Sequence, residues 1–125
     1  MANYTVEIKE TNLELTARAR IMLKDTTNAI GLDEYIVDEQ GVEITPIGYA
    51  ILGIHNDKSE NKEYEVYVIV DNNNQKYVTG SQSFFSSFMN IFEEMSQEDE
   101  EFTIKAYKKP SKNYSGKEFI TCSLI

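Results

Sequence analysis

The chain has no tryptophan, one cysteine, one histidine, two prolines and few cationic side chains for its size. Each scarcity excludes something. Cys122 alone can close no internal disulfide, which excludes a disulfide scaffold and suits a reducing compartment. His55 and Cys122 form no cluster with zinc-ligand spacing, so no metal and no cofactor is expected. A nucleophilic pair made of the two lacks any local signature. No stretch approaches the roughly 18 apolar residues of a membrane span. Met1-Ala2-Asn3-Tyr4 opens a polar segment rather than a leader, so a cytoplasmic protein with no membrane partner is expected. No glycine-rich phosphate loop and no G-x-S-x-G elbow is present. Asp71-x-Asn73-x-Gln75 has the start of a calcium loop, but Lys76 stands where glycine is required and Gln82 where glutamate belongs. A binding protein is expected rather than an enzyme.

Acids outnumber bases 21 to 12, for a net charge of −9, which by itself disfavours a polyanionic partner. The distribution matters more than the sum. Residues 93–101 contain Glu93, Glu94, Glu98, Asp99, Glu100 and Glu101 and no base. Residues 102–117 contain Lys105, Lys108, Lys109, Lys112 and Lys117 and no acid.

The 125 residues suffice for one domain. Tyr4, Val6 and Ile8 alternate with polar residues as in a strand. Residues 15–24 alternate too, yet Ala, Arg, Met and Leu favour a helix that Thr16 can cap. Asp25-Thr26-Thr27-Asn28 predicts a turn, and 31–47 an acidic connection ending at Pro46. From Gly48 the pattern sharpens. Tyr49–His55 predicts a strand, with Gly53 marking a bulge or bend. Tyr64–Val70 predicts a second, with Val66, Val68 and Val70 on one face and Tyr67 and Ile69 on the other. Asp71–Asn74 is a turn into a short third strand, Lys76–Thr79. Phe84, Phe88, Ile91 and Met95 recur at helical spacing, with Phe85 and Phe92 widening the stripe and Ser81 or Ser83 as cap. Phe102–Lys109 and Phe119–Leu124 are the last strands, with Phe102, Ile104 and Ala106 sharing one face of the first and Ile120, Cys122 and Leu124 inward on the second.

This order of strand, strand, strand, helix, strand, strand is that of an OB-fold, a mainly β, five-stranded Greek-key barrel with one helix between strands three and four. Residues 48–125 are expected to form the barrel, and 1–47 an N-terminal extension packing on it or on a neighbour.

The candidate interface is where lysines and rings interleave. Lys105, Tyr107 and Lys109 project from one strand face, the following loop adds Lys112, Tyr114 and Lys117, and Phe119 begins the next strand. Lysines neutralise phosphates, and rings accept stacked bases of any identity, so the combination suits single strands. In an OB-fold this connection is one of the ligand-binding loops. Tyr67 and Tyr77 are secondary candidates, with Tyr49 beside them. Arg18 and Arg20, with Lys24, form a second basic patch.

Several segments carry a resemblance: Leu15-Thr16-Ala17-Arg18, Lys24-Asp25-Thr26-Thr27-Asn28-Ala29-Ile30, Tyr77-Val78-Thr79-Gly80-Ser81, the Phe-rich helix, Tyr107-Lys108-Lys109-Pro110-Ser111-Lys112-Asn113-Tyr114-Ser115-Gly116-Lys117, and Phe119-Ile120-Thr121-Cys122. Together they resemble a family of small OB-fold single-stranded DNA-binding proteins of Gram-positive phages and conjugative plasmids. The resemblance implies a protein that coats single-stranded DNA during replication, recombination or transfer. RNA binding and self-association along DNA stay open. The alternative is an acidic protein-interaction module of a mobile element, inhibiting a host DNA-acting enzyme by imitating DNA.

Overall fold

The computed structural model describes residues 4–37, 39–58, 62–98, 100–110 and 118–125, and it is mainly β. In chain order the elements are β1 (Tyr4–Thr11), α1 (Ala17–Lys24), β2 (Ile30–Gly31), α2 (Leu32–Tyr35), β3 (Val42–Ile44), β4 (Pro46–Asn56), β5 (Glu63–Asp71), β6 (Lys76–Thr79), α3 (Gln82–Met95), β7 (Ile104–Pro110) and β8 (Glu118–Leu124). Two sheets result: β1-β4-β5-β6-β2, and β3-β7-β8. All ladders are antiparallel except the short β2–β6 pair.

Local chemistry explains the ends of these elements. The Thr16 hydroxyl accepts from the Ala19 N–H at 3.1 Å and starts α1. The Lys76 ammonium donates to the carbonyls of Met22 and Asp25, tying the end of α1 to β6. Between β5 and β6, the Asp71 carboxylate accepts from the N–H groups of Asn73 and Gln75 at 2.9 and 2.8 Å, and Asn74 takes φ 64°. The Ser81 hydroxyl caps α3 by accepting from the Phe84 N–H at 3.2 Å.

The chain passes between sheets at Thr45, flanked by the last residue of β3 and the first of β4. The Thr45 and Thr103 hydroxyls lie 2.8 Å apart, and the Thr45 carbonyl accepts from the Asn72 N–H. Pro46, at the first position of its strand, forfeits little of the ladder.

Both faces of the five-stranded sheet are covered. On one, Leu23 of α1 packs with Ala50, Leu52, Val68 and Val70. On the other, Tyr49, Tyr67, Ile69 and Tyr77 meet Phe84, Phe85, Phe88 and Phe92 of α3, together with Ile104, Ala106, Ile120 and Cys122 of the smaller sheet. Tyr67 stacks on Phe85 at 4.3 Å, and Phe92 meets Tyr49 at 5.4 Å and Phe102 at 6.0 Å. The aromatic helix is thus the joint between the two sheets.

The Tyr49 hydroxyl donates to Glu10 at 2.9 Å. Burial, that hydrogen bond and the charges of Glu10 and Glu93 push it from its ordinary 10.0 up to about 12. The folded state therefore favours the neutral ring, a contribution intact below pH 10 and lost as the pH rises towards 12. Alkaline titration is expected to unfold the protein in that window, with tyrosinate absorbance and loss of circular dichroism rising together, and Tyr49→Phe to shift the transition upward. Ionisation of every tyrosine near pH 10 with the fold intact would contradict this.

Five expectations are corrected. The barrel is not closed: among the described residues no ladder joins β6 to β8, and β2 pairs with β6 on the side away from β5 instead. The connection 31–47 contains α2 and β3, and it buries Leu32, Ile36 and Ile44. Segment 1–47 supplies β1, β2 and β3 to both sheets. Gly53 marks no bulge, since it pairs in regular register with Glu7 and Glu65. Its missing Cβ makes room for the Lys9 stem, whose ammonium reaches Glu65 at 3.3 Å. Finally Leu124, expected inward, is exposed because the last position of β8 has core neighbours on one side only.

Candidate nucleic-acid interface

Strand β7 alternates with period two, and the alternation divides its chemistry. Ile104 and Ala106 are fully buried, while Lys105 and Tyr107 are half-buried and Lys109 is exposed on the opposite face. The ladder with β8 sets Ser123 opposite Lys105, Thr121 opposite Tyr107 and Phe119 opposite Lys109. Lys105, Tyr107, Lys109 and Phe119 therefore share one outer sheet face.

The Tyr107 ring is held in place on that face. Its hydroxyl lies 2.9 Å from the Ser123 hydroxyl, a diagonal neighbour in the ladder. The ring thus leans across the strands towards Lys105, whose ammonium sits 5.3 Å from the ring centroid. A cation and a π-face are side by side at the surface.

Neighbouring elements bound the face. The Ser83 hydroxyl of α3 donates to the Ile120 carbonyl at 3.2 Å, and Ser87 meets Thr121 at 3.0 Å, so the helix covers the β8 edge. Beyond β7 a shallow groove is lined by Glu39, Lys105, Tyr107, Lys108 and Lys109. Glu43 stands opposite Lys105 in the β3 ladder. Carboxylates thus border the lysines here.

Other predicted residues fall elsewhere. Lys112, Tyr114 and Lys117 lie outside the described residues. Tyr67 and Tyr77 are core residues: Tyr67 stacks on Phe85, and the Tyr77 hydroxyl donates to Asp71 at 3.2 Å. Both share the Ile69 face, which α3 covers, so neither ring is available for stacking. Arg18 and Arg20 are exposed on α1, across the five-stranded sheet from β7, and the Arg20 guanidinium donates to the Leu15 carbonyl at 2.9 Å. They form a separate surface. Lys108 and Glu39 join the groove although neither was a candidate. Lys108 has the inward parity of Ala106, but near the strand end parity no longer leads into the core.

Cys122 and His55 are not brought together. Burial pushes the Cys122 thiol up to about 12, and the His55 ring lies at the surface, 2.8 Å from Asp57 and 3.5 Å from Glu63. Among the described residues no group of three or more His, Cys, Asp or Glu side chains is placed to hold a metal ion, and no helix is long and apolar enough to cross a membrane.

The molecule is in class a mainly β, two-sheet protein whose outer β7–β8 face carries lysines beside a ring. No family model, curated protein or solved structure matches the chain.

Proposed function

We propose that the protein binds single-stranded DNA with little sequence preference, using the outer face of β7 and β8. The observation that carries this reading is the surface pair of Lys105 and Tyr107, with the ammonium 5.3 Å from the ring centroid. A base stacked on Tyr107 would bring its phosphate within reach of Lys105 and Lys109. Stacking needs unpaired bases, which a duplex withholds. The acidic end of α3 repels polyanions and so favours approach from the lysine face. The resemblance supports a role in the replication, recombination or transfer of phage or plasmid DNA.

An open OB-like architecture is part of the proposal. β3 and β4, continuous through Thr45, act as a bent first strand that pairs with both β5 and β7. With β5–β6 and β7–β8 these ladders are those of an OB barrel lacking its closing pair. In that framework the β7–β8 connection is a binding loop, which supports the proposed face.

Tyr107→Ala is expected to weaken binding of a fluorescent oligo-dT by about 5- to 150-fold, the equivalent of one lost stack of about 1–3 kcal/mol. Thermal melting should stay within about 0.5 kcal/mol of the parent, as for other surface changes. Competition with oligo-U separates DNA from RNA preference. Unchanged oligo-dT affinity in Tyr107→Ala would reject this face.

A further inference from the structure

We propose that the exposed face of α1 docks into the acidic, apolar-floored groove beside the end of α3 in a second copy, joining copies head to tail. Helix α1 buries only Leu23, and helical spacing then places Arg18, Ile21 and Lys24 along one outward stripe with Met22 beside it. Ile21 is 69% exposed and Met22 57%, an unusual amount of wetted apolar surface for so short a helix. Residues 15–24 contain three cations and no acid, so the helix itself adds only positive charge beside this apolar ridge, with Glu14 and Asp25 just beyond its ends. Such a patch marks an interaction surface.

The same molecule carries the complement. A groove between the start of β4 and the segment after α3 is lined by Pro46, Ile47, Phe92, Phe102, Glu100 and Glu101. Ile47 is 44% exposed on its rim, and Glu93, Glu94 and Glu98 extend the negative charge along the adjoining helix end. An apolar ridge flanked by cations meets an apolar floor flanked by carboxylates. In a chain of net charge −9, α1 and β7 are elements that carry cations and no acid.

Placement favours a repeating contact. Leu23 anchors α1 on the sheet face of Leu52 and Val68, whereas Phe92 and Phe102 belong to the cluster on the opposite face with Tyr49. Ridge and groove on different sides make a heterologous contact, which repeats from copy to copy as a ring or an open array. The docking does not depend on the DNA-binding reading.

Sedimentation velocity of the full chain tests it. In low salt the weight-average sedimentation coefficient is expected to rise with concentration and to fall back when salt screens the charges. Arg18→Glu with Lys24→Glu, and separately Glu100→Lys with Glu101→Lys, should each abolish that rise. The variant carrying all four reversals should regain it. Ile21→Ser, at an exposed position, should retain the parental melting curve and reduce association. A wild-type chain that stays monomeric at every concentration would overturn the proposal, as would unchanged association in either reversed variant or its absence in the fourfold variant. If reversing α1 leaves sedimentation unchanged and lowers oligo-dT affinity, the helix serves nucleic acid and the proposal fails. Because association is read without DNA, its failure is distinguishable from failure of the DNA-binding reading.

Discussion

Phe88→Ala is expected to lower the free energy of unfolding by about 3–5 kcal/mol, the range for removing a large aromatic side chain from a packed core. Phe88 is fully buried, with ring centroids of Phe84, Phe85, Phe92 and Tyr49 at 6.3, 6.1, 5.4 and 6.4 Å. Backbone strands and a rigid helix surround the site, so little can move in to refill the space. A domain of this size has about 5–15 kcal/mol in all, so the change removes a large part of its stability. Urea unfolding followed by circular dichroism reads the loss from the midpoint at constant slope. A loss below about 1 kcal/mol would mean that α3 does not join the sheets as described.

Gly41→Ala is expected to cost about 3 kcal/mol for a different reason. Gly41 has φ +61°, and an added Cβ would fall 1.9 Å from the Ala106 carbonyl oxygen. The left-handed backbone alone costs a side-chain-bearing residue about 1–2 kcal/mol. The clash is with backbone, so β3 must move away from β7, at a further cost of about 1–3 kcal/mol. Ala106 lies between Lys105 and Tyr107, so displacing β7 should weaken oligo-dT binding as well. Gly80 is the control: nothing lies within 4 Å of its Cβ position, and Gly80→Ala should be near neutral. Equal stability of the two variants in the same urea series would refute the close β3–β7 approach.

These two positions also show what the sequence reveals. Phe88 is legible because it lies on a stripe repeating at helical spacing over 14 residues, long enough for the period to emerge. The faces of β5 are legible in the same way, with Val68 and Tyr67 in different clusters, and the β5–β6 turn follows from Asp71 and its asparagines. Gly41 carries no local sign of its role, because its constraint comes from a strand some 65 residues away in the chain. Leu32, Ile36 and Ile44 are equally silent: they lie in or beside elements of four residues or fewer, too short for a period to emerge, and only tertiary packing makes them core.

The candidate surface divides along the same line. Lys105, Tyr107 and Lys109 follow from two-residue alternation, which a strand imposes directly. Tyr67 and Tyr77 mislead because alternation assigns a face without saying what covers it, and here α3 covers theirs. Lys108 is missed because alternation ceases to predict burial at the strand's end.

The central claim is that the β7–β8 face recognises unpaired nucleic acid, and a salt titration of the wild-type chain with oligo-dT and with duplex DNA of the same length tests it most directly. Tight binding to oligo-dT in low salt is expected, weakening on a log–log plot with a slope near −0.7 for each phosphate neutralised, alongside much weaker binding to the duplex. No binding to oligo-dT in low salt, or equal affinity for the duplex, would contradict it.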